Sequence, residues 1–275
     1  MKKEWTDYIQ SLPVSNGEKA LQRDLLENNK ELDDIFKLGF MNTYQAFEEH
    51  GPETGFRITT QGRQNWIDSF NNLQLVRLER GGTPVQCASK CSYCCYQHVL
   101  VSSSEAFQIS HLMARKGLDI PTEEIAERVA NLNHLERFQQ AIACPLLKNS
   151  NCSVYEDRPQ VCRSYFSTTQ KLCKASFERR WHDDAPWTKI IGGPQYIGQT
   201  MIMGTDAAIM NFGFQMVTLE LADALTQARK PGAWEAWLSK DKVFQEPESN
   251  IPYPQVLHQM MFNVFIGSGE NNADE

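Results

Sequence analysis

Four of this chain's eight cysteines fall between Cys87 and Cys95, in the stretch QCASKCSYCCYQHV, and Cys94 and Cys95 are adjacent. The other four are Cys144, Cys152, Cys162 and Cys173, so the spacing reads C-x3-C-x2-C-C, a long gap, then C-x7-C-x9-C-x10-C. Thiols crowded this way belong to disulfides, to metal sites or to redox pairs. The N-terminal MKKEWTDYIQSLPVS has two lysines with no apolar run behind them, so no secretory signal is expected there. The expected compartment is the cytosol, where disulfides rarely persist, and the cysteines then read as metal ligands or redox groups. Four disulfides remain the competing reading should the chain be exported by another route.

Composition narrows the partners. No stretch approaches the roughly 18 apolar residues of a membrane span. The net charge of −7, from 34 acidic and 27 basic residues, argues against binding along nucleic acid backbones. What remains is an unidentified protein or small-molecule substrate.

Ligation by sulfur selects the metal. Thiolates surround an ion at about 2.3 Å and favour zinc, copper(I) or iron–sulfur clusters over magnesium or calcium. Cys94 and Cys95 diverge in any regular backbone: to opposite sides when extended, and by about 100° in a helical turn. They serve two centres, or one of them ligates and the other is free. His98, close behind Cys95, is a further candidate ligand. His182 with Asp183 offers a ligand and its orienting acceptor, although RRWHDD reads more plainly as a solvated charge run. Arg158 and Arg163 in VYEDRPQVCR would lower neighbouring thiol pKa values and offset a cluster's negative charge if they stand near the sulfurs. The plainer reading pairs Arg158 with Glu156 or Asp157 on the surface. Met201, Met203, Met210 and Met216 are too irregularly spaced for a copper site and read as core filler. No glycine-rich phosphate loop or hydrolase motif stands out.

The pattern around the cysteines is helical. Ser15 and Glu18 form a capping-box pattern ahead of Leu21, Leu25, Leu32 and Phe36. HGPETGF breaks that run, and Trp66, Ile67, Phe70, Leu73 and Val76 make the next apolar stripe. Ser102 and Glu105 repeat the box before Phe107, Ile109 and Leu112, with a stop at Lys116 and Gly117. Pro121, Glu123 and Glu124 open a helix with the stripe Ile125, Val129, Leu132, Leu135 and Phe138. GGP (192–194) and KPG (230–232) read as joints, and helices are expected over 218–228 and near 255–265. Between Gln195 and Met216 no period emerges. The expectation is a mainly α fold with few strands, organised around a cysteine-rich metal-binding centre. Its parts are an N-terminal helical segment (1–80), a cysteine core (81–181) and a C-terminal helical segment (182–275), joined as one domain because no long linker separates them. The hairpin of helices between the two cysteine halves would bring them together.

Two resemblances follow from these residues. Cys87, Cys91 and Cys94, with Tyr93 before the last, resemble the cluster triplet of radical S-adenosylmethionine enzymes; the likeness ends there, since that fold needs many more strands. A longer resemblance is to the zinc- or iron-chelating CxxCxxCC (YkgJ-like) cysteine-cluster family. Its pattern matches Cys91, Cys94 and Cys95; Cys144, Pro145 and Leu147; Cys152, Val154 and Tyr155; and Arg158, Pro159, Cys162 and Arg163, with Glu105 at an acidic position. Cys87 departs from it, with three residues between it and Cys91 rather than two. That family includes flagellin lysine methylases. The resemblance implies a metal centre, a [4Fe-4S] or other iron site with zinc as the alternative, and S-adenosylmethionine as a cosubstrate if the protein is an enzyme.

Overall fold

A computed structural model describes residues 30–245, apart from 84, 89, 181, 183–185 and 187. The capping box at Ser15, the helix expected near 255–265 and Asp183 lie outside the described residues.

The first element, α1 (Lys30–Arg80), is two helical arms meeting at Gly51, whose φ of 73° only glycine adopts freely. Pro52 follows and starts the second arm, so HGPETGF becomes a corner rather than a loop. The corner is tight: a Cβ on Gly55 would stand 2.8 Å from the Ala46 carbonyl. Of the apolar stripe expected on the second arm, Ile67 is buried and Phe70 packs on the core, but the other three residues are not on the buried face. Trp66, Leu73 and Val76 are 45%, 48% and 42% exposed, while Phe56, Thr60, Arg63, Ile67 and Asn71 are buried. These five recur at helical spacing, but two bear strongly polar side chains whose partners lie on distant elements, so a hydrophobicity pattern could not find them.

Next come the cysteine knot with a 3-10 turn at Tyr93–Tyr96, β1 (Leu100–Ser102) and α2 (Ser103–Arg115). Ser102 and Glu105 form the expected capping box, and the helix ends at Lys116 with Gly117 at φ 60°. The single helix expected after Pro121 is two: α3 (Thr122–Val129) and α4 (His134–Gln139). The break has a local cause. Asn133 accepts the Glu136 N–H while Glu136 accepts the Asn133 N–H, a second capping box that starts α4 afresh.

The second cysteine half holds a hairpin, β2 (Leu147–Lys148) with β3 (Asn151–Cys152), and a 3-10 turn at Tyr155–Asp157. Asn149 and Ser150 both have positive φ, the signature of a two-residue hairpin turn. Two short helices follow, α5 (Gln160–Arg163) and α6 (Gln170–Glu178). Then α7 (Gly192–Asn211) runs through the region where no period was visible, opening on the GGP read as a joint. It buries residues from Pro194 to Ile209 on nearly every side, and a helix apolar all round shows no amphipathic period. The chain continues with β4 (Thr218–Glu220), α8 (Leu221–Ala228) and α9 (Ala233–Leu238); the helix expected from 218 begins three residues later because 218–220 pair with β1.

Two contacts position the site. First, α1 and α7 cross with their backbones touching: a Cβ on Gly39 would stand 2.6 Å from the Met201 carbonyl, and one on Gly204 would overlap the Phe36 carbonyl. Second, β1 and β4 pair antiparallel in the register Leu100↔Glu220, Val101↔Leu219, and the Leu221 N–H donates to the Val99 carbonyl at 2.8 Å. The strand that leaves the knot is thereby tied to the last helices. Around it sits an aromatic core in which Trp237, fully buried, meets Phe107 at 5.2 Å and Phe214 at 4.7 Å between ring centres. Among the described residues no helix is long and apolar enough to cross a membrane.

The glycine contacts make opposite predictions. Gly204→Ala forces two backbones apart and is expected to cost about 1–3 kcal/mol. Gly62→Ala, where a Cβ meets nothing within 4 Å, is expected to stabilise the same helix pair by up to ~1 kcal/mol. Urea unfolding midpoints of the two variants check both signs.

Candidate metal centre

The knot is built from short turns. Lys90 turns the chain with a φ of 69°, and the Cys91, Cys95 and Gln97 N–H groups donate back to Ala88, Ser92 and Cys94 at 3.0–3.1 Å. The two cysteine halves then meet directly: the Cys144 N–H donates to the Cys95 carbonyl at 2.7 Å. Further bonds run alongside, from Gln86 N–H to the Ser167 carbonyl at 3.0 Å and from Ser167 N–H to the Cys87 sulfur at 3.1 Å. From α6, Phe177 packs on Tyr93 and Tyr96, with ring centres 5.7 and 4.6 Å away.

All eight cysteines are free thiols. Cys91, Cys94, Cys95, Cys144, Cys152 and Cys162 line one cavity of about 130 Å³. His98, Arg158, Tyr155, Tyr165 and Gln97 share it, and Val99, Leu146, Val161 and Leu221 supply apolar wall. Cys87 and Cys173 stand outside this lining; Cys87 feels the charge of Cys94, Cys91 and Cys173, and Cys173 that of Cys91 and Cys94. Cys94 thus lies between an outer group (Cys87, Cys91, Cys173) and an inner one (Cys95, Cys144, Cys152, Cys162). Among the described residues no three His, Cys, Asp or Glu side chains stand together as a finished coordination shell. The inner sulfurs share a cavity and perturb one another electrostatically.

The adjacent pair is asymmetric. The Cys95 S–H donates to the Cys94 sulfur, which holds the Cys94 pKa down and raises that of Cys95; Arg158 adds to the lowering at Cys94. Burial raises the thiols of Cys144, to about 12, and of Cys152 and Cys162. Cys87 is raised to about 11, by burial first and by its thiol neighbours after, although the residue keeps an exposed face. Burial, then Arg137, lowers His98 to about 4, leaving its imidazole neutral near pH 7, the form that binds metals.

The two arginines singled out by sequence part company. Arg158 lines the cavity, lies 4.2 Å over the Tyr155 ring and carries a buried Nε without a hydrogen-bond partner. Arg163 stands apart from that lining: it donates to both Asp68 oxygens at 2.7 Å and to the Glu156 carbonyl. His182 is exposed. Sequence reading passed over Tyr165, whose hydroxyl accepts from Gln97 at 3.0 Å, and Arg137, buried and paired with Glu220. Neither carries a local signal, since their partners lie 68 and 83 positions away.

The donor set fits a soft metal centre: several thiols around one cavity, a neutral imidazole and a guanidinium to balance thiolate charge. In the metal-free, reduced protein the raised thiols have a stability consequence. Cys144 ionises near 9 when unfolded and near 12 when folded, so above pH 9 the unfolded chain binds fewer protons. The thiol's contribution is complete below pH 9 and is lost as pH rises towards 12, at up to about 1.4 kcal/mol per pH unit. Urea unfolding at pH 8, 9 and 10 should show this decline, and Cys144→Ala should make it shallower, the remainder coming from the other raised thiols.

No curated protein and no solved structure matches this chain. One family model does: CxxCxxCC, "Putative zinc- or iron-chelating domain", over residues 86–183. The match supports cysteine-ligated metal binding, and its span covers the knot, the hairpin, α5 and α6 with all eight cysteines. The match is confined to residues 86–183, and over that span the chain is similar to the CxxCxxCC family.

Proposed function

We propose that this is a cytosolic metalloprotein whose thiol cavity holds an iron–sulfur cluster and that serves redox or S-adenosylmethionine-dependent modification of a protein or small molecule. The observation behind it is the lining of one cavity by six cysteines and His98. A single zinc ion is content with about four ligands, so this lining holds more donors than one zinc needs. Cys144, Cys152 and Cys162 with Cys94 of the adjacent pair are the residues to hold a [4Fe-4S] cluster, with Cys95, Cys91 and His98 at the margin. Such a cluster supplies electron transfer or an open iron for a cosubstrate. The protein's own contribution is to keep the thiols in an apolar wall, to hold His98 neutral and to place the Arg158 charge beside Cys94, Cys152 and Cys162. Eight free thiols suit a reducing compartment.

A second reading is a non-enzymatic zinc site. The bond between Cys144 and Cys95 favours it, since zinc there would staple two segments already in contact. Stapling alone explains less in a chain with a substantial core of its own.

Purification without oxygen separates the two. The expected outcome is brown protein with about four iron and four acid-labile sulfide per chain, losing both when Cys94 is replaced by Ser. Colourless protein with one zinc and no sulfide overturns the iron reading and supports the second. With a reduced cluster in place, cleavage of added S-adenosylmethionine would support cosubstrate use, and an intact cluster that leaves it uncleaved counts against radical chemistry.

A further inference from the structure

The turn that carries Cys162 is held at both ends by residues outside the cysteine spacing. At its start, Glu105 on α2 accepts the Gln160 N–H through Oε1 at 2.8 Å. Through Oε2 it accepts the Ser102 N–H at 3.4 Å, so one carboxylate serves the first turns of both α2 and α5. At the far end Arg163 grips Asp68, and the Ser164 hydroxyl meets Asn71 and Gln160, each at 3.1 Å. Behind Glu105 stands Arg63, only 4% exposed, donating to Ser104 at 2.9 Å and Gln108 at 2.7 Å, while Ser104 donates to Asp206 at 2.6 Å.

A capping box does not need this burial. Glu136 makes the same box at α4 from an exposed position. Glu105 makes it at 7% exposure, where a carboxylate costs free energy unless hydrogen-bonded and balanced by charge. What the buried position adds is the bond to Gln160, two residues before Cys162.

We infer that Glu105 is a positioning residue for Cys162: its carboxylate sets the α5 turn that aims this thiol into the cavity, and thereby tunes the metal site. The part concerning metal rests on the function proposed above.

The test uses the full chain with Glu105→Gln, whose amide keeps one acceptor and loses the other. Gln160→Pro is the second variant. It removes the N–H donor at the first position of α5, where proline is tolerated after Pro159, and leaves the α2 capping box intact. In reduced, metal-free protein, alkylation of each cysteine is timed by peptide mass spectrometry. Both variants should label Cys162 about ten-fold faster through easier local opening, with Cys144 unchanged. Zinc affinity by chelator competition should fall about 10–100-fold, and Glu105→Gln should add no further loss to a Cys162→Ser chain. Cys162 labelling at the original rate in both variants overturns the inference, as does equal acceleration at every cysteine or a loss that multiplies with Cys162→Ser. If labelling shifts as expected while wild-type protein binds no metal, the metal reading fails and the positioning role stands.

Discussion

The hydrogen bond from the Cys144 amide to the Cys95 carbonyl is where the two cysteine segments become one site. The first segment is otherwise a set of short turns, and the second adds a hairpin and two short helices with Leu146 and Val154 in the core. Between them the chain runs out through α2 and back through α3 and α4, and the bond closes that excursion. Loop closure over such a distance carries an entropy cost that one hydrogen bond does not cover. The closure is made affordable by what surrounds it: β1 paired with β4, Phe177 against Tyr93 and Tyr96, and α2 in the aromatic core. Thiols from both segments thereby line one cavity.

Buried charge is the second organising constraint, and it is handled economically. Two carboxylates each do two jobs. Glu105 joins the capping of α2 to the start of α5, and Glu220 pairs with Arg137 while accepting the Ala222 N–H at 2.7 Å to cap α8. Each stands by a buried arginine, Arg63 or Arg137, that offsets its charge. Pairs of this kind contribute little net stability, because desolvation consumes most of the attraction, but a wrong arrangement would strand a charge. They thus favour one placement of α5 and α4 beside the cavity over its neighbours.

Much of the helical frame was legible because its signals are local. The Ser102–Glu105 box, the stop at Lys116 and Gly117, and the break at Gly51–Pro52 each depend on residues within one turn of each other. The misreadings share the opposite character. α7 showed no period because its contacts lie on all sides; the second arm of α1 buries Arg63 and Asn71 in preference to Trp66 and Leu73; and Asn133 restarts a helix that its apolar stripe would have continued. That last signal is local, N-x-x-E from Asn133 to Glu136, and an apolar stripe alone does not register it.

The chemistry of the centre is written in the chain's order of residues: soft sulfur donors in two spaced groups, with motifs that resemble a family's, because donor type and short-loop geometry are set by consecutive residues. Tertiary structure alone decided which thiols share a cavity, that Cys87 and Cys173 stand outside its lining, that Arg158 faces it and Arg163 does not, and that Glu105 reaches Gln160. These outcomes depend on contacts between residues tens of positions apart, fixed by how α1, α2 and α7 pack, and no local pattern encodes the direction in which a side chain will point once those helices have crossed.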